Sequence, residues 1–170
     1  MLEFSGTFEM DRSREELWPY FTDPDIMADC APGCKEMTVI EPHEIEAVGA
    51  VGVGSVKPEF DVDVWITKAD YPSVLSMRAT GYAPRNEFES TATMELEEVE
   101  GTTTITWTAT ADVSGTIASL GGRALGSVTK RLVARFFSNL EAKIEEGVEA
   151  TSTLEAAPEE APELAIDDEE

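Results

Sequence analysis

The sequence predicts an α+β fold: a curved, antiparallel seven-stranded sheet wrapped around one long C-terminal helix, with two short helices after the first strand. Three observations carry this. Apolar and polar residues alternate over a first run at the N-terminus and over six later runs, the period of strands with one buried face. Helix start and stop residues crowd the stretch between the first run and the others. Near the C-terminus, apolar residues recur at helical spacing. A chain of 170 residues fits one domain with a sizeable core.

In the first strand Leu2, Phe4, Phe8 and Met10 point one way, and Glu3, Ser5, Thr7 and Glu9 the other. Ser13-Arg14-Glu15-Glu16 is a capping-box pattern that starts a helix burying Leu17, Trp18 and Phe21. Asp23-Pro24 ends that helix and opens a second, through Ile26 and Met27, which Pro32-Gly33 stops. Strands are expected near 34–41, 44–53, 56–70, 74–83, 86–98 and 102–114, joined by short turns into a meander. The last helix is expected from about Thr116 to Glu146, with Gly147 as its stop. Leu125, Val128, Leu132, Phe136, Leu140 and Ile144 form its apolar stripe.

Charge divides the chain. There are 35 acidic and 12 basic residues, a net −23, which opposes nucleic acid and most anionic surfaces. We expect such a chain in a high-salt cytoplasm, where a Debye length of ~3 Å near 1 M screens self-repulsion; a fold unaffected by dilute buffer would count against this. Residues 1–147 are read as the folded domain and 148–170 as an acidic, disordered tail, since its Ala, Pro and Glu bury too little to offset ordering entropy. No apolar run is long enough to span a membrane, and the first residues lack signal-peptide character, so a cytoplasmic protein is expected.

Catalytic and metal constellations are sparse. Cys30 and Cys34 are the only cysteines and His43 the only histidine, too few for a Cys₄ or mixed Cys/His metal site. Cys-Ala-Pro-Gly-Cys lacks the spacing of thiol oxidoreductases and reads as a tight turn. Residues 49–57, GAVGVGSVK, lack the Lys of a phosphate loop and read as hairpin glycines. Asp61 and Asp63 fall on the wet face by parity. No metal, cofactor or catalytic residue is therefore assigned.

Two features of the last helix remain open. Gly121, Gly122 and Gly126 signal either a frayed start or room beneath the helix, and Ala79, Gly81, Ala92, Ala109 and Ala111 are small on the facing strands. Small residues on both layers suggest an apolar hollow for a ligand. Its expected lining is Phe60, Val62, Val64, Met77, Ala79, Phe88, Met94, Trp107, Ala109, Leu125, Val128 and Leu132. Arg123, Lys130, Arg131 and Arg135 share a ~140° arc opposite the apolar stripe, either a plain solvent face or a docking patch.

Phe4-Ser5-Gly6, LWPYFTDPDIMADCAPGC (17–34), GVGSVKPEFDVDVWIT (52–67) and LGGRALGSVTKRLVARFFSNLEAKI (120–144) follow one another in a specific order. That ordered set resembles the helix-grip fold of the START/Bet v 1-like (SRPBCC, polyketide cyclase-like) superfamily. Within it, about residues 1–146 resemble the carbon monoxide dehydrogenase subunit (CoxG) family. The resemblance implies that Pro32-Gly33-Cys34 is a turn motif. It further implies a non-catalytic protein that binds a hydrophobic small molecule, a quinone or lipid. Such a protein is accessory to a molybdenum hydroxylase of the carbon monoxide dehydrogenase type and recruits it to the inner face of the membrane by peripheral contact. Some members carry an apolar C-terminal anchor, whereas Ala156–Glu170 is acidic here. Two rivals stay open: a cyclase- or hydratase-like enzyme, for which Arg78 and Tyr82 are the nearest polar residues, and an interaction module with a filled core.

Overall fold

The computed structural model describes residues 2–52 and 57–152. Strand β1 (Leu2–Met10) is followed by α1 (Arg14–Thr22), α2 (Pro24–Cys30) and strands β2 (Cys34–Glu41), β3 (Glu44–Ala50), β4 (Glu59–Asp70), β5 (Val74–Ala83), β6 (Asn86–Val99) and β7 (Thr102–Gly115). A 3₁₀ turn, Thr116–Leu120, leads into α3, Gly121–Glu145. The seven strands form one antiparallel sheet in the order β1-β7-β6-β5-β4-β3-β2. This is the expected helix-grip architecture. The expected strand ends at 53–56 lie outside the described residues.

The two short helices form where their caps demand. Ser13 Oγ accepts from Glu16 N at 3.1 Å, but Glu16 turns to Arg12 at 3.0 Å, so only half of the capping box closes. Asp23 Oδ1 accepts from Asp25 N (2.9 Å) and Ile26 N (3.3 Å) and thereby starts α2, with Pro24 in its first turn. Gly33 then makes the turn into β2 with φ +84°, and an added Cβ there would overlap the Ala50 carbonyl oxygen. The Pro32-Gly33-Cys34 segment is thus a turn pressed against β3.

The last helix starts later than expected. Gly115 (φ +96°) and Gly121 (φ +89°) bracket the 3₁₀ turn, which the β5–β6 hairpin pins in place. Thr116 N donates to Arg85 O (2.9 Å), and Ile117 N to the buried Asn86 Oδ1 (2.8 Å). At the other end Gly147 (φ +76°) ends α3 as expected. The chain then runs back over α1 and α2. Tyr20 Oη donates to Val148 O (2.6 Å), Asp23 Oδ2 accepts from Thr151 N (2.8 Å), and the Thr22 and Ser152 hydroxyls meet at 2.6 Å. Residues 148–152, placed in the tail by composition, are docked on the domain.

Burial divides the interior. The main core joins α1, α2, the second half of α3 and one end of the sheet through Leu17, Phe21, Leu75, Ile105, Phe137 and Leu140. A separate, smaller cluster of Phe60, Ala83 and Ile117 sits at the other end under the 3₁₀ turn, with Val62, Phe88 and Val113 packed against it. Phe136 was expected on the apolar stripe of α3, yet Phe137 is the buried ring. It stacks on Phe8 (4.8 Å between centroids) and meets Phe21 edge-on, while Phe136 is half-buried beside it.

Candidate functional site

Antiparallel pairing lines up residues of the α3-facing side in rows across the sheet. One row runs Leu2, Ala111, Ser90, Ala79, Val64, Ile45, and the next runs Phe4, Ala109, Ala92, Met77, Ile66. Ile66 is buried, and every other member of the two rows is half-buried. These rows lie between the two hydrophobic clusters, and their centre is Ala, Ser and Ala. The strip is apolar, shallow in side-chain relief and incompletely covered.

Aromatic rings border the strip without filling it. Trp107 is directly opposite Gly6, and a Cβ on Gly6 would come within 2.9 Å of the indole. Phe88 is directly opposite Gly81, where an added Cβ would overlap the ring. Each ring therefore lies down across a glycine and keeps low against the sheet. Phe88 also meets Phe60 edge-on at 5.1 Å.

On the opposing layer the α3 glycines leave room. A Cβ on Gly122 would stand 3.5 Å from Leu2 Cδ2, and one on Gly126 3.7 Å from Phe4 Cε1. Both are ordinary contacts, so the helix is not pressed on β1 there. A cleft of ≈ 210 Å³ opens beside Gly121 and Gly122, lined also by Leu2, Ala111, Val113, Ala118 and Leu125, with Asp112 at its rim. A second cleft, ≈ 280 Å³, lies at the β2–β4 end, where Glu36, Glu46, Asp61 and Asp63 make it acidic. Both fall below the ~300–1,000 Å³ of pockets that enclose a drug-sized molecule.

The twelve expected lining residues therefore separate. Phe60, Val62 and Phe88 belong to the small cluster, and Met77, Met94 and Trp107 pack against the main core. Val64, Ala79, Ala109, Leu125 and Leu132 are half-buried outside both clusters, and Val128 is buried on α3. Only Leu125 among the twelve lines the ≈ 210 Å³ cleft. Sequence reasoning overlooked Ser90, the polar member of the strip, although its parity with Phe88 and Ala92 marks it as inward. It also overlooked Gly6 and the pairing of Gly81 with Phe88, which need cross-strand register.

Ionisable groups stay off the strip. Among the described residues, the sheet rows from Phe88–Val113 to Leu96–Ile105 carry none on this side. Arg78 lies on the other face, 5.4 Å above the Trp65 ring and paired with Glu89 at 2.6 Å, and Tyr82 is exposed there. His43 is half-buried in the β2–β3 turn, where its carbonyl accepts from Ile66 N at 2.9 Å. Cys30 and Cys34 are free thiols whose pKa values burial raises, the opposite of an activated nucleophile. No group of three or more His, Cys, Asp or Glu among the described residues could hold a metal ion.

The four expected docking cations, Arg123, Lys130, Arg131 and Arg135, are all exposed on α3. Ion pairs among the described residues join Arg12–Glu16, Lys35–Glu59, Lys68–Asp70, Arg78–Glu89 and Lys143–Asp29, and none includes these four. No described helix is long and apolar enough to cross a membrane.

Solved structures share this architecture. A conserved protein from Geobacillus kaustophilus superposes with a TM-score of 0.81 at 26% identity, covering 88% of this chain and 99% of that one. A START superfamily protein from Mycobacterium smegmatis gives 0.63 at 12% identity, over 86% and 99% of the two chains. The Zhui aromatase/cyclase from Streptomyces sp. R1128 gives 0.63 at 14%, over 87% and 96%. The last two likenesses establish the fold alone. No curated protein matches the chain significantly. The family model for the carbon monoxide dehydrogenase subunit (CoxG) matches residues 6–145, so the chain belongs to the carbon monoxide dehydrogenase subunit (CoxG) family.

Proposed function

We propose that this protein binds the apolar part of a small hydrophobic molecule, an isoprenoid quinone or another lipid, between α3 and the strip of small residues on the sheet. The observation that supports this most is the strip itself, Ala79, Ser90, Ala92, Ala109 and Ala111, half-buried between two packed clusters and free of ionised groups. An unfilled apolar surface of this kind gains free energy on covering, about 25 cal/mol per Å². The ≈ 210 Å³ cleft gives such a molecule an entry beside Gly122. Because that volume seats only part of a quinone or lipid, the rest stays outside or enters as α3 moves off the sheet.

Family membership supports an accessory role beside a molybdenum hydroxylase of the carbon monoxide dehydrogenase type, with Arg123, Lys130, Arg131 and Arg135 as the surface that meets it and a place peripheral to the inner face of the membrane. Native mass spectrometry of the full chain tests the ligand reading. We expect a co-purifying apolar mass, or uptake of an added short-chain quinone. Ala109→Trp should abolish uptake while far-UV circular dichroism stays unchanged, because the indole would occupy the strip opposite Phe4 and Ala92. Undiminished uptake by that variant rejects the strip as the site. Recovery of a chemically altered molecule would instead point to a cyclase-like enzyme.

A further inference from the structure

We propose that the exposed cationic face of α3 is covered in cis by the acidic residues that follow Ser152. Residues 121–140 of α3 contain no Asp or Glu, so Arg123, Lys130, Arg131 and Arg135 have no carboxylate on their own stretch of helix. They are exposed, and none enters an ion pair among the described residues. Residues 1–152 carry 27 acids against 12 basics, so most of this surface repels an anionic segment. The α3 face is where that sign reverses.

The segment has the charge and the reach. Residues 153–170 hold eight acids, Glu155, Glu159, Glu160, Glu163, Asp167, Asp168, Glu169 and Glu170, and no basic residue. The described chain ends at Ser152, fastened to Thr22 beside the α1–α2 junction. α2 in turn touches α3, where Asn139 Nδ2 donates to Cys30 O at 3.0 Å. Eighteen further residues extend at most ~60 Å at ~3.3 Å each. The cations lie between 123 and 135, within a helix ~37 Å long at ~1.5 Å per residue. Tethering raises the local concentration of carboxylates to the ~mM range, which a partner in trans must outcompete. Three of the four cations are Arg, whose planar fork pairs bidentately with carboxylates. The cover is graded by salt and weakens as the Debye length falls from ~30 Å at ~10 mM to ~3 Å at ~1 M. It is independent of what the apolar strip holds.

Zero-length carbodiimide coupling of the full chain tests this, because the reagent joins an amine only to a carboxylate in contact with it. In ~10 mM salt, Lys130 should couple to Glu155–Glu170 at least about tenfold more than Lys35 or Lys68 does, as a tethered contact requires. The coupling should fall away in ~1 M salt. It should also be lost in the full-length triple variant Arg123→Glu, Arg131→Glu, Arg135→Glu, which leaves Lys130 in place. Mixing light and isotope-labelled chains should show the links within one molecule. Equal coupling at Lys35, Lys68 and Lys130, persistence in the triple variant, or links between copies would each overturn the proposal.

Discussion

Gly33 and Gly126 are the same residue in opposite situations. Gly33 has φ +84°, and a Cβ there would overlap the Ala50 carbonyl, a backbone atom that cannot swing aside. Gly126 sits inside α3 with ordinary helical geometry and space for a methyl 3.7 Å from Phe4 Cε1. We therefore expect Gly33→Ala to destabilise by at least about 1–3 kcal/mol, the scale of a strained non-glycine backbone. Gly126→Ala should stabilise by up to about 1 kcal/mol through helix propensity alone. Urea midpoints at fixed salt distinguish the two, and a loss of stability in Gly126→Ala would show that the helix needs the glycine for close packing. Sequence reading recognised the turn at Gly33 because Pro-Gly is a local signal. It could not recognise Gly6 and Gly81, since their meaning lies in the aromatic ring opposite, Trp107 or Phe88, and that ring is assigned only by strand register.

At the level of elements, periodicity was a good guide wherever one face of a strand or helix is buried along its length. The alternation in β1 reappears as strictly alternating burial. α3 departed from the pattern for a physical reason. Its first expected turn is 3₁₀, because Gly115 and Gly121 take positive φ and Asn86 holds Ile117, so the helix begins at Gly121. Farther along, two adjacent Phe residues satisfy a helical stripe about equally well, and only Phe8 and Phe21 on the receiving layers choose between them. The consequence is measurable. Phe137→Ala removes a ring that is 3% exposed and should cost about 3–5 kcal/mol, whereas Phe136→Ala, on a half-buried ring, should cost clearly less. Equal losses in chemical denaturation would mean that α3 packs in a different rotation. The candidate strip was less legible than the fold, because parity gives the facing of Ala79, Ser90 and Ala109 but not how completely a helix covers them.

For the whole molecule the decisive quantity is net charge. Of the 35 carboxylates, the five ion pairs among the described residues engage five, and each pair is exposed on at least one side. Exposed pairs contribute about 0–1 kcal/mol each and are screened by salt, so salt should cost the fold little through them. The remaining acids repel one another across the sheet, where Glu46, Asp63, Glu89 and Asp112 stand in one row. Like charges directly opposite on neighbouring strands are destabilising, and screening relieves every such contact at once. Repulsion thus outweighs attraction, and adding salt should stabilise the fold. We expect the thermal midpoint to rise between ~10 mM and ~0.5 M KCl, by about 2–4 °C for each kcal/mol of repulsion relieved. Most of the rise should come before ~0.5 M if screening is the cause, since the Debye length is already short there. A rise that continues in proportion to salt would indicate surface exclusion instead. A midpoint that does not move over this range would remove the physical basis for placing the chain in a high-salt cytoplasm.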